Sequence, residues 1–122
     1  MNAMGLLKNK LLMVIDGKGL LTAACRSRLE EAGASIIGPV STVDEAQAVL
    51  SNSIINGAIL DLRMDDHMIV TLAGDLEALD VPFIFATSEI SPFDGFVLDD
   101  DPSELGKIAE ALFHSAGPPT LH

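Results

Sequence analysis

The sequence predicts a doubly wound α/β sandwich, a five-stranded parallel sheet with helices on both faces. Three observations point there. Short runs that are apolar without alternation recur along the chain, and such runs suit strands buried on both faces. Between them lie segments whose apolar residues repeat at helical spacing. Glycine, proline and helix-capping residues fall at the junctions. With 122 residues, 48% of them hydrophobic, the chain has the size and apolar content of one domain.

The elements follow in order. Leu11 to Ile15 is a continuous apolar run that ends at Asp16, and Gly17 breaks it. From Lys18 to Ala32, Leu21, Cys25, Leu29 and Ala32 recur at helical spacing, and Gly33 is a good stop. Ser35 to Gly38 is a second strand, closed by Pro39. Thr42 and Glu45 read as a capping box opening a helix with Val43, Ala46, Val49 and Leu50 on one face. Asn56-Gly57 precedes a third strand, Ala58 to Leu60, which runs into Asp61. The next helix carries a stripe of Ile69, Leu72, Ala73, Leu76 and Leu79. Pro82 to Ala86 is the fourth strand, ending at Thr87, and Phe96 to Leu98 the fifth. Asp101 as cap, Pro102 at the first helical position and Glu104 start the last helix, whose buried stripe is Leu105, Ile108, Ala109 and Leu112 before Gly117-Pro118-Pro119.

Right-handed crossovers between such strands give the flavodoxin-like arrangement with strand order 2-1-3-4-5. Only residues 88–95, with Pro92 among them, separate strands four and five, so the fourth helix is expected to be short or absent. The domain is expected to span 10–115, with 1–9 and 116–122 as flexible tails.

Composition excludes several classes. Eighteen acidic against seven basic residues give a net charge of −11. Nucleic acid, which binds through Lys and Arg, is repelled, and so are anionic membrane surfaces. No apolar run reaches the ~18–20 residues of a membrane span. One cysteine excludes an internal disulfide framework. A cytoplasmic protein is the expectation.

In the order 2-1-3-4-5, strands one, three and four lie side by side and end at Asp16, Asp61 and Thr87. Open parallel sheets bind ligands outside the carboxyl ends of their strands, at the switch point between strands one and three. Two carboxylates and a hydroxyl therefore converge where this architecture places a site, and an oxygen-only pair of acids suits Mg²⁺. Each residue alone has a plainer role: an aspartate after a buried strand commonly caps or turns, and a threonine ends many strands. Their coincidence at adjacent strand ends favours chemistry.

The segments Leu12-Met13-Val14-Ile15-Asp16, Ala58-Ile59-Leu60-Asp61-Leu62-Arg63-Met64 and Val81-Pro82-Phe83-Ile84-Phe85-Ala86-Thr87 resemble the receiver domains of two-component response regulators, over about residues 10–115. The resemblance implies a non-enzymatic phosphorelay domain in which Asp61 accepts a phosphoryl group from a histidine kinase or histidine phosphotransfer protein. It implies Mg²⁺ bound by Asp16, Asp61 and the backbone carbonyl of Arg63, and Thr87 as the switch hydroxyl. It also implies an output protein as partner, and the face of strand five and the last helix admits a homodimer.

Two departures from that family stand out. Ile15 occupies the place of the first of its paired acids, and no lysine follows strand five, where the chain reads Asp99-Asp100-Asp101. Lys18 and Arg63, each two residues past a site aspartate, are the cations available to compensate, with plain solvated surface roles as the alternative. His67 and His114 lack a second histidine at ligand spacing, and Cys25 sits on a buried stripe. The competing function is a degenerate receiver that serves as a phosphorylation-independent interaction module. A small phosphate- or flavin-binding enzyme is disfavoured because Asp16-Gly17-Lys18-Gly19 lacks a phosphate-loop pattern. With 122 residues there is no room for an output domain, so a stand-alone regulator or one domain of a larger protein is expected.

Overall fold

A computed structural model of the chain describes residues 3–16, 19–87, 96–98 and 101–113. Five strands, β1 (Leu11–Ile15), β2 (Ser35–Val40), β3 (Gly57–Asp61), β4 (Phe83–Thr87) and β5 (Phe96–Val97), form one parallel sheet in the order β2-β1-β3-β4-β5. Four helices accompany them among the described residues: α1 (Ala23–Glu31), α2 (Val43–Asn52), α3 (Asp66–Ala78) and α4 (Pro102–Phe113). This is the flavodoxin-like topology that the apolar runs predict. The segment in which a short or absent fourth helix is expected, 88–95, lies outside the described residues.

The sheet separates two apolar layers, and the strand period decides which side chain enters which. Leu12 and Val14 of β1 pack with Ile59, Ile84 and Ala86 against Cys25 and Leu29 of α1 and Leu105, Ile108 and Ala109 of α4. Met13 and Ile15 point the other way and join Ala58, Leu60, Ala46 of α2, and Leu72 and Leu76 of α3. Successive side chains alternate faces, so a strand without polar alternation must be covered on both sides. Cys25 is fully buried in the first layer.

Several expectations need correction. Part of the stretch expected as an N-terminal tail, 1–9, is packed: Ala3–Leu7 forms a 3₁₀ turn and Leu7 is fully buried in the α1/α4 layer, while just beyond it the Lys10 ammonium lies 5.1 Å from the centre of the Phe113 ring. The helix expected from Lys18 starts only at Ala23, because the Thr22 hydroxyl caps it by accepting from the Cys25 N–H. Pro39 does not close β2. An edge strand tolerates a residue without a donor, and β2 runs on to Val40 with a register shift against β1. Leu79 is no part of the buried stripe of α3; it is the C-cap residue and 54% exposed.

Other local signals behave as expected. Gly33 follows the C-cap of α1 with a φ of 102° that glycine adopts without strain. Thr42 caps α2 through the Glu45 N–H, while the Glu45 carboxylate reaches back to the N–H of Ser41, one residue before the cap. That bond, with the Ser41 hydroxyl after it, holds the Glu45 carboxyl below its ordinary range. Asp101 caps α4 by accepting from the Ser103 N–H, and Leu105, Ile108, Ala109 and Leu112 are its buried stripe.

Candidate functional site

The strand register brings the three site residues to one edge. Ile15 pairs with Leu60, so Asp16 and Asp61 stand level at the ends of neighbouring strands, and Asp61 pairs with Ala86, which puts Thr87 one residue further along β4. Neighbouring strands are about 5 Å apart, so these ends share one crevice. All three are buried, with exposures of 4%, 0% and 7% for Asp16, Asp61 and Thr87, and they are the buried polar residues among those described.

Asp61 closes the central strand, whose five residues are all buried. The chain turns immediately after it: the Met64 N–H donates to the Asp61 carbonyl, and the Arg63 N–H donates to Asp61 Oδ1 at 2.9 Å. This Asx-type turn brings the Arg63 side chain back over the carboxylate. Its Nε donates to Oδ1 and its Nη2 to Oδ2, both at 3.1 Å. The pair is a two-pronged, charge-assisted contact, the geometry in which guanidinium and carboxylate match best. The Arg63 side chain remains 42% exposed while Asp61 is sealed. Of the two compensating cations, Arg63 therefore meets Asp61 directly, whereas Lys18 lies outside the described residues.

Asp16 is held from two sides. Its N–H donates to the Val40 carbonyl at 2.8 Å, extending the β1–β2 ladder, and its Oδ2 accepts from the Leu21 N–H at 2.9 Å. The Leu21 amide was not legible in the sequence. The signal that would have shown it is Thr22, a preferred N-cap residue just before Ala23 and Ala24, which delays the helix and leaves 19–21 to fold back over the end of β1. Thr87 is fixed through its carbonyl, which accepts from the Leu98 N–H at 2.8 Å. Asp101 faces the start of α4 as a cap, and Asp99 and Asp100 lie outside the described residues, as does His114. His67 is exposed in the first turn of α3.

The donor set fits the expected Mg²⁺ poorly. Both Asp61 oxygens are engaged by Arg63, Ile15 supplies no second acid after β1, and among the described residues no three His, Cys, Asp or Glu side chains group as metal ligands. Mg²⁺ prefers several oxygens in octahedral array. What the arrangement offers is a buried carboxylate whose charge is met by a partly exposed guanidinium.

The same architecture appears in receiver domains of response regulators. The response regulator PhyR from Brucella abortus superposes with a TM-score of 0.68 at 20% identity, over 90% of this chain and 50% of that one. The anti-anti-sigma factor PhyR from Bartonella quintana gives 0.68 at 18%, over 90% and 51%. SdrG from Pseudomonas melonis Fr1, in its BeF3-activated conformation, gives 0.68 at 24%, over 92% and 98%. The fold is thus that of a response regulator receiver domain. The chain spans about half the length of the two PhyR structures and nearly all of SdrG. No family model and no curated protein matches it.

Proposed function

We propose that the chain is a signal-transduction receiver in which Asp61 accepts a phosphoryl group and Arg63 balances the charge. The observation that carries this reading is the guanidinium fork on a buried carboxylate at the central strand end, beside Asp16 and Thr87. The donor is a phosphohistidine of a kinase or phosphotransfer protein. An Asp61 oxygen attacks phosphorus in line, the P–N bond breaks, and the histidine nitrogen leaves with its electron pair and takes up a proton. The new acyl phosphate carries about −1.5 to −2 charge. Arg63, two residues away on a turn and partly exposed, swings from the carboxylate onto the phosphoryl oxygens, which suit its planar fork equally well. The Thr87 hydroxyl at the next strand end is the group that contacts those oxygens and moves, biasing a two-state surface that an output protein reads. A cytoplasmic location follows from the donor, and no helix among the described residues is long and apolar enough to cross a membrane.

A second reading draws on the same contact and on two features of the sequence, Ile15 in the place of an acid and no lysine directly after β5. Asp61 has no exposed surface and both its oxygens are held, as suits a module that keeps one conformation without phosphorylation. Incubation with acetyl phosphate, with and without Mg²⁺, followed by intact mass distinguishes the two. One phosphoryl adduct that disappears in Asp61→Asn supports the receiver; its absence under both conditions removes the phosphorylation reading and leaves the module.

A further inference from the structure

On the face opposite α1 and α4, the C-terminal ends of α2 and α3 enclose a groove of about 500 Å³, lined by Gln47, Leu50, Ser51, Asp75, Ala78 and Leu79. A second hollow of about 230 Å³ continues it past the same Leu50 and Leu79 to Ile54, Ile55 and Val81. Gln47 Nε2 donates to Asp75 Oδ2 at 2.9 Å, an exposed bond that ties the two helices where they line the groove. Ile54, 88% exposed, and Leu79, 54% exposed, stand at the rim, two of the three large apolar side chains exposed among the described residues. Apolar side chains held in water around a concavity are the usual mark of a binding surface.

Charge selects the occupant. From Leu29 to Gly106 the chain has a single Lys or Arg, Arg63, and that one is on Asp61. The two helices and their ends carry Asp44, Glu45, Asp65, Asp66, Asp75, Glu77 and Asp80 with no balancing cation. Neither helix has a basic residue in its last turn, so the partial negative charge of both C-termini stays uncompensated beside the groove. A second copy offering the same face brings like charge against like charge, and residues 114–122 hold no Lys or Arg.

We propose that the α2/α3 groove docks a basic amphipathic helix of a partner protein, its apolar side chains between Leu50, Ile54 and Leu79 and its cations over Asp75 and the two helix ends. Helix-in-groove recognition uses anchors one turn apart, and positive flanks add rate and selectivity. The inference does not depend on chemistry at Asp61.

The test uses the whole ¹⁵N-labelled chain and a peptide roughly five turns long, leucine on one face and lysine on the other, with a leucine/glutamate peptide as control. The expected result is amide shifts centred on residues of α2, the C-terminal half of α3 and 53–55 with the lysine peptide, and none with the control. Ile54→Ser and Leu79→Ser, both at exposed positions, are expected to weaken binding about tenfold or more each, a loss on the scale of an interface anchor. Asp75→Asn, which removes the carboxylate charge that lines the groove, is expected to weaken it and to flatten its salt dependence. Shifts spread over the acidic surface and indifferent to both serine variants overturn the proposal. So does sedimentation showing the groove closed by a second copy that Leu79→Ser releases.

Discussion

Removal of the Arg63 side chain tests the central feature of the site most directly. Asp61 is sealed, and in Arg63→Ala it keeps the Arg63 N–H at 2.9 Å but loses both guanidinium bonds at 3.1 Å. Breaking a fully buried pair costs about 3–5 kcal/mol, whereas a fully exposed pair contributes about 0–1 kcal/mol. With the guanidinium 42% exposed and the carboxylate at 0%, the cost falls between, near 2 kcal/mol. For a domain of this size, a urea slope of about 2 kcal/mol per molar turns that into a midpoint lower by about 1 M. A cycle with Asp61→Asn and the double variant isolates the pair, with a coupling of about 1–2 kcal/mol expected. Raised salt should shrink it, since one partner touches solvent. A midpoint shift within about 0.2 M, or a coupling near zero, refutes the claim that Arg63 neutralises Asp61.

Three other outcomes follow from the packing. Leu7→Ala should destabilise by about 2–5 kcal/mol because Leu7 is fully buried; a change within experimental error in chemical denaturation would return the 3₁₀ turn to the status of a loose tail. Gly38→Ala places a Cβ 2.6 Å from the Val14 carbonyl oxygen at a φ of 129°, so a loss of about 2–4 kcal/mol is expected, and an unchanged melting curve would count against this course of β2. The Glu45 carboxyl is held below its ordinary 4.5 by the Ser41 N–H. A group depressed in the folded state stabilises above its unfolded pKa, and that contribution fades as pH falls through the folded value. The Ser41 amide resonance should therefore titrate below pH 4.5, and in Glu45→Gln this step should vanish.

The parallel sheet was legible because β1, β3 and β4 carry no polar interruption, a pattern that only double coverage satisfies. Strand ends were legible to a residue or so for the same reason: Asp16, Asp61 and Thr87 stop the apolar runs. The start of α1 was not, because Leu21 keeps the helical spacing with Cys25 while its backbone N–H is drawn to Asp16 instead. Tertiary bonding overrode local periodicity. The Leu7 anchor was invisible for a related reason: Met4, Leu6 and Leu7 span too few residues to show a period that would tell which of them faces the core. Leu79 shows the opposite failure: it continues the spacing of α3, but the helix ends beneath it. In the candidate site, the spacing of Asp61 and Arg63 made a pairing conceivable, yet only the turn at 61–64 decides that the guanidinium folds back rather than out.

The thirteen residues of α3 start five positions past Asp61 and extend about 20 Å, at the usual rise per residue. Pivoted at the Asp61–Arg63 turn, a rod of that length would act as a lever. A tilt of about 10° at that fulcrum carries Leu79, at the far tip, through about 3 Å, roughly the width of a methyl group. An event at one sheet edge could thus widen or pinch a crevice at the opposite end of the molecule without unfolding anything between.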